Sequence, residues 1–87
     1  MKKVIKFYAN WCGPCKLYAP IFDKVSNELK DQAEFVNVDI EQDTNGLAAQ
    51  YKVQAIPTTV LINEDGAETV KSGRMDESTL KKFILNE

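Results

Sequence analysis

Residues 11–16 read WCGPCK: two cysteines three positions apart, enclosing Gly13 and Pro14, with Trp11 before them and Lys16 after. They are the only cysteines in a chain of 87 residues. As a staple the spacing is poor. Closing a four-residue loop contributes about 2 kcal/mol by the chain-entropy relation, against roughly 4.7 kcal/mol for a hundred-residue loop. The pair therefore points to metal binding or redox chemistry. A structural zinc site needs four ligands, mostly cysteine and histidine, and this chain has no histidine and no second cysteine pair. Two thiolates with two carboxylates form an unusual set, and a metal shared between two copies needs a further assumption. Redox chemistry, with no metal, is the better supported of the two.

Outward from the hexapeptide, VIKFYA (4–9) is rich in β-branched and aromatic residues and predicts a central strand with bulky groups on both faces. From Pro14 onward Leu17, Ile21, Val25 and Leu29 recur every four residues, with Phe22 widening the stripe, and predict an amphipathic helix over 14–30. Pro14 suits a first-turn position. Pro20 removes one hydrogen bond inside the helix and is expected to kink it. FVNVDI (35–40) alternates as a half-buried strand, NGLAAQYK (45–52) predicts a short helix, and TTVLIN (58–63) with AETVKS (67–72) predicts a hairpin around EDG. The last helix starts at Asp76 as N-cap, with Met75 and Leu80 placed to form a hydrophobic staple. Leu80, Phe83 and Ile84 are expected to face the core, as are Tyr8, Tyr18 and Phe22. The expected fold class is α/β, a β-α-β-α-β-β-α order. Two parallel strands joined by a right-handed crossover and one antiparallel hairpin make a four-stranded mixed sheet flanked by three helices.

Length and composition suit one soluble domain spanning 1–87. A formal net charge of −2 with scattered signs argues against nucleic acid or an anionic membrane as partner. MKKVI at the start resembles the basic end of an export signal, but Lys6 interrupts the apolar run, so the expected address is cytoplasmic. There a C-x-x-C is more often catalytic or metal-binding than structural.

WCGPCK is letter for letter the active-site hexapeptide of the thioredoxin family, and AIPT (55–58) resembles that family's cis-proline loop. FYANWCGPC, NVDIEQ, AAQYKV and SGRMDESTLKKFI follow in the family's order, so the resemblance spans essentially the whole chain. It implies a protein-disulfide reductase, monomeric and without cofactor beyond a redox-active Cys12–Cys15 disulfide. Its expected partners are protein disulfides and a thioredoxin reductase or equivalent electron donor.

Cys12, where the first helix begins, is the expected nucleophile, its thiolate favoured by free backbone N–H groups and the helix dipole. Cys15, one turn on and more buried, is the expected resolving thiol. Trp11 is expected as a lid beside Cys12, Gly13 to let substrate backbone approach, and Pro14 to stiffen the loop. By the resemblance, Pro57 is cis, the Ile56 backbone pairs with substrate in a strand-like manner, and Gly73 lies beside this surface or serves as a bulge glycine.

Two departures stand out. Full-length members carry an extra strand and helix before the central strand, so this chain resembles a minimal core in which 35–40 becomes a sheet edge blunted by Asn37, Asp39 and Glu41. Thioredoxins also usually place a buried aspartate where this chain has Lys6, and often a lysine at the position of Asn37. That aspartate helps take the proton of the resolving thiol. Lys6 either tunes a nearby thiolate or extends to solvent; the second is the simpler expectation. Glutaredoxin-like use of glutathione is an alternative, opposed by Gly13-Pro14 and by SGR at 72–74. A redox-independent binding subunit using the same surface is another. Oxidases and isomerases of this type usually carry a histidine before the second cysteine, which is absent here.

Overall fold

The computed structural model describes all of residues 1–87. β1 (Lys2–Tyr8) leads to α1 (Gly13–Glu28), β2 (Ala33–Asp39), a 3₁₀ turn at Ile40–Gln42 and a single-turn α2 (Leu47–Gln50). β3 (Thr58–Ile62), β4 (Glu68–Ser72) and α3 (Glu77–Leu85) follow. The sheet order is β2-β1-β3-β4. β1 runs parallel to β2, from Lys2 opposite Ala33 to Tyr8 opposite Asp39. It runs antiparallel to β3, where Phe7 faces Thr58, and β3 and β4 form the expected hairpin. β2 is an edge strand, as expected.

The central strand is apolar on both faces because both faces are covered. Val4 and Leu61 pack with Tyr18, Phe22 and Val25 of α1 and Leu80 and Ile84 of α3. Ile5, Phe7, Val38 and Val60 form the opposite cluster, against Leu47 and Ala48 of α2 and Tyr51 just beyond it. Asp76 caps α3 by accepting the Thr79 N–H at 2.8 Å, and Met75 and Leu80 are buried together as the staple predicts. Asp43, a cap the sequence pattern did not reveal, holds α2 by accepting the N–H groups of Leu47 and Ala48 at 2.9 and 2.8 Å.

Three expectations need correction. Leu17 is 59% exposed, and the buried line of α1 runs through Cys15, Tyr18, Phe22 and Val25. A strict four-residue spacing advances 400° per step and spirals off the face; alternating steps of three and four residues stay on it. Tyr8 is only half-buried, at the end of its strand. Lys6 does not extend to solvent: it is 4% exposed. Its cross-strand neighbours are Asn37 and Thr59, and its ammonium lies among the rings of Phe22, Tyr8 and Tyr18 at 4.9, 5.4 and 6.0 Å from their centroids.

Candidate active site

α1 begins immediately after the turn that leaves β1, which sets Cys12 at its N-cap. The Cys12 backbone is extended, its N–H donates to the Ala9 carbonyl at 3.2 Å, and its carbonyl accepts the Lys16 N–H at 3.2 Å. Pro14, which has no N–H to leave unpaired, occupies the first turn. The Cys15 N–H donates to Cys12 Sγ at 3.2 Å, so a free amide of the helix start is aimed at that sulfur. Cys12 and Cys15 are joined as a disulfide, with their Cα atoms 5.2 Å apart. Both are buried, Cys12 at 6% and Cys15 at 3% exposure, in a small cluster with Ala9.

The second wall comes from a segment 44 residues away. The antiparallel register that sets Phe7 opposite Thr58 carries the loop before β3 to the end of β1, and Cys12 Sγ lies 3.9 Å from the Ile56 carbonyl oxygen. The Ile56–Pro57 peptide bond is cis. The Pro57 carbonyl accepts the Gly73 N–H at 2.8 Å. Gly73 has φ +89°, a region open to glycine, and it follows the last ladder pair, Thr58 with Ser72, so it is not a bulge within the strand. Ile56, Pro57 and Gly73 thus meet on one side of the cysteine pair. Trp11 is 65% exposed and is not a core aromatic. A side chain on Gly13 would meet no atom of this chain within 4 Å, so the fold alone does not call for glycine there.

On the other side of Cys15 is an open pocket of about 360 Å³, lined by Lys6, Tyr8, Asn10, Lys16, Asp23 and Asn37 among others. Burial lowers the Lys6 pKa from its ordinary 10.5, and the charge of Asp23 partly opposes this. Tyr18 donates or accepts a 2.8 Å hydrogen bond with Thr59 Oγ1, and burial pushes its phenol up to about 12 although that bond works the other way. The period-two alternation of β1, which sends Val4 and Lys6 to one face, was the available sign that Lys6 points at α1. No side-chain cluster is arranged to hold a metal ion, and no helix is long and apolar enough to cross a membrane.

The family model described as Thioredoxin matches residues 1–86. The thioredoxin of Mycoplasmoides gallisepticum is 37% identical over 95% of this chain and 81% of its own length. That of Borreliella burgdorferi is 37% identical over 93% of this chain and 68% of its own. The X-ray structure of Fasciola hepatica thioredoxin superposes with a TM-score of 0.84 at 38% identity, covering 98% of this chain and 79% of that one. Matched along nearly its whole length in sequence and in fold, with the cysteine pair closed at the start of α1, the chain belongs to the thioredoxin family and is a thiol–disulfide oxidoreductase.

Proposed function

We propose that the chain is a general protein-disulfide reductase in which Cys12 attacks the target and Cys15 resolves the mixed disulfide. The observation that carries this assignment is the Cys15 N–H directed at Cys12 Sγ at the helix N-cap. A sulfur so placed has its anion stabilised by a hydrogen bond and by the helix dipole, and the thiolate is the form that attacks. In the reduced protein Cys12 attacks one sulfur of a target disulfide, and the other leaves. Cys15 then attacks Cys12, the target is released reduced, and the Cys12–Cys15 disulfide remains. A short loop suits this work, because the bond is easily closed and reopened.

The partners are extended segments of disulfide-bearing proteins. The exposed Trp11 and the Ile56 carbonyl flank the sulfur they must reach, and the empty space over Gly13 admits a substrate backbone. Pro14 fixes φ in the loop between the cysteines. Gly73 and Pro57 hold the neighbouring wall through their backbone hydrogen bond. The cycle needs an electron donor of the thioredoxin-reductase kind and no cofactor beyond the disulfide itself. We place it in a reducing cytoplasm, with the chain working as a monomer.

The test is insulin reduction with dithiothreitol or NADPH and thioredoxin reductase as donor. Cys12→Ser abolishes turnover, and Cys15→Ser accumulates mixed disulfides detectable by mass. Normal turnover by either variant overturns the two-cysteine scheme, and recharging by glutathione alone favours a glutaredoxin-like cycle.

A further inference from the structure

A buried ammonium without a carboxylate partner is costly, because the charge has left water and gained no counter-ion. Lys6 is in that position. It takes part in none of the ion pairs of the chain, which lie on the outer surface. Aromatic faces around it supply partial compensation. The pocket that it lines has Cys15 as another wall. Packing alone does not call for a charge at this position, since Phe22, Tyr8 and Tyr18 surround an alkyl chain of methionine length equally well.

We infer that Lys6 is a positioning residue for the resolving step, its ammonium favouring the thiolate of Cys15 across the shared pocket. This rests on the assignment of Cys15 as the resolving thiol. In the step concerned, the Cys15 thiol gives its proton to water in the pocket and its sulfur attacks Cys12 Sγ. The bond between Cys12 and the target sulfur breaks, and that sulfur leaves as a thiolate that takes a proton from solvent. Two electrons pass from the protein to the target. A negative charge on Cys15 exists only while the pair is open, in the reduced protein and in the mixed disulfide, and it is in the mixed disulfide that the ammonium acts on the resolving step.

The other groups facing this pocket are few. Tyr8 comes from β1, Lys16 and Asp23 from α1, and the neutral Asn37 from β2. Tyr18, whose ring lies 6.0 Å from the Lys6 ammonium, and Thr59, the cross-strand neighbour of Lys6, do not titrate near neutrality. α3 adds the apolar Leu80 and Ile84 to the same core. Asp23 is the one carboxylate of the pocket, and its charge opposes that of Lys6. An opposite charge within ~4–6 Å shifts an ionisation tenfold or more. This pocket opens to water, so a smaller factor, about threefold, is expected.

The experiment is stopped-flow reaction of the reduced protein with excess 5,5′-dithiobis(2-nitrobenzoate) from pH 5 to 9. Cys12 attack releases the first thionitrobenzoate and Cys15 resolution the second. In Lys6→Met the second phase is about threefold slower on its acid limb, and its pH midpoint moves up by about half a unit. Lys6→Arg keeps the native midpoint, and Asp23→Asn moves it down. A native midpoint in Lys6→Met, or an equal shift in Lys6→Arg, overturns the inference. Thiolate absorbance of Cys15 in a Cys12→Ser background repeats the comparison at equilibrium and uses no reaction rate. If the lone Cys15 of Cys12→Ser releases thionitrobenzoate as fast as the first phase of the wild type, the cysteine assignment fails, and that failure is distinct from a failure at Lys6.

Discussion

The hydrogen bond between Tyr18 and Thr59 joins α1 to β3 directly behind the active site, and its removal is expected to destabilise the fold by a measurable amount. Both residues are fully buried, and their oxygens are 2.8 Å apart. Tyr18→Phe leaves the Thr59 hydroxyl buried without that partner, at a cost of about 1–3 kcal/mol. Thr59→Val leaves the phenol in the same condition. Removing both hydroxyls together leaves nothing unpaired, so the double variant is expected to lose far less than the two single losses combined. The coupling is on the order of 1–2 kcal/mol. For a domain of this size each kcal/mol corresponds to roughly 4–8 °C in Tm. Urea unfolding followed by circular dichroism at pH 7, on the oxidised proteins, measures all four corners of the cycle. A double variant whose loss equals the sum of the singles refutes the pairing.

Alkaline pH supplies a second reading of the same group. Burial raises the Tyr18 phenol from 10.0 to about 12, so above pH 10 the unfolded chain loses this proton before the native one does. Stability from this source is fully present below pH 10 and is lost as the pH rises through 12. At ~1.4 kcal/mol for each pH unit of separation the complete loss is on the order of 2–3 kcal/mol. Tyr18→Phe has no such proton. The stability difference between wild type and this variant must therefore shrink from pH 9.5 to 11, and a constant difference refutes the burial argument.

Lys6→Met is expected to be more stable than wild type at pH 7. The cost of the buried charge is present in full below the lowered pKa of Lys6 and fades as the pH rises towards 10.5, so the gap between the two urea midpoints narrows at pH 10. Leu80→Ala, at a fully buried position that closes the α3 staple, is expected to lose about 2–5 kcal/mol in the same assay. Asp76 has its pKa lowered first by the Thr79 N–H it accepts, with Lys82 adding a smaller pull. Its contribution is present above the unfolded carboxylate range and is lost as the pH falls through the folded value. Asp76→Asn retains the cap acceptor, so an unaltered acid dependence of Tm in that variant rules this role out.

Element order, sheet pairing and the cysteine pair were legible because each has a local signature. β1 is bulky on both sides, the hairpin turns at EDG, and WCGPCK stands where strand passes to helix. The buried face of α1 was misplaced by one position, because Leu17 and Ile21 are more apolar than Cys15 and Tyr18 while the helix follows geometry. The Tyr18 hydroxyl is tolerated inside because Thr59 meets it, a partner 41 residues away that no local pattern supplies. Lys6 was misread for a related reason. Side-chain preference sends lysine outward, but the register of β1 between β2 and β3 leaves position 6 no outward side. The Asp43 cap went unseen because the expected helix began at Asn45, too close to Asp43 for its carboxylate to be a cap; with the start at Leu47 it reaches the N–H groups of Leu47 and Ala48.

The same two elements carry the Tyr18–Thr59 bond and the approach of Cys12 to Ile56, and this links stability to chemistry. Tyr18 is one turn beyond Cys15 on α1, and Thr59 is two residues beyond Pro57 on β3. The separation of the sulfur from the Ile56 carbonyl is therefore set by how α1 rests on β3, with Tyr18 as the nearest polar tie across that contact. Loss of this tie should loosen the wall on which we propose that an incoming substrate strand pairs, while leaving the N-cap geometry of Cys12 intact, since the cap is made within residues 9–16. Tyr18→Phe is thus expected to raise KM for a folded protein disulfide while keeping the rate with 5,5′-dithiobis(2-nitrobenzoate), which needs the thiolate and no strand pairing. Equal losses with both substrates would show that α1 moves as a whole and that the two walls are not separately held.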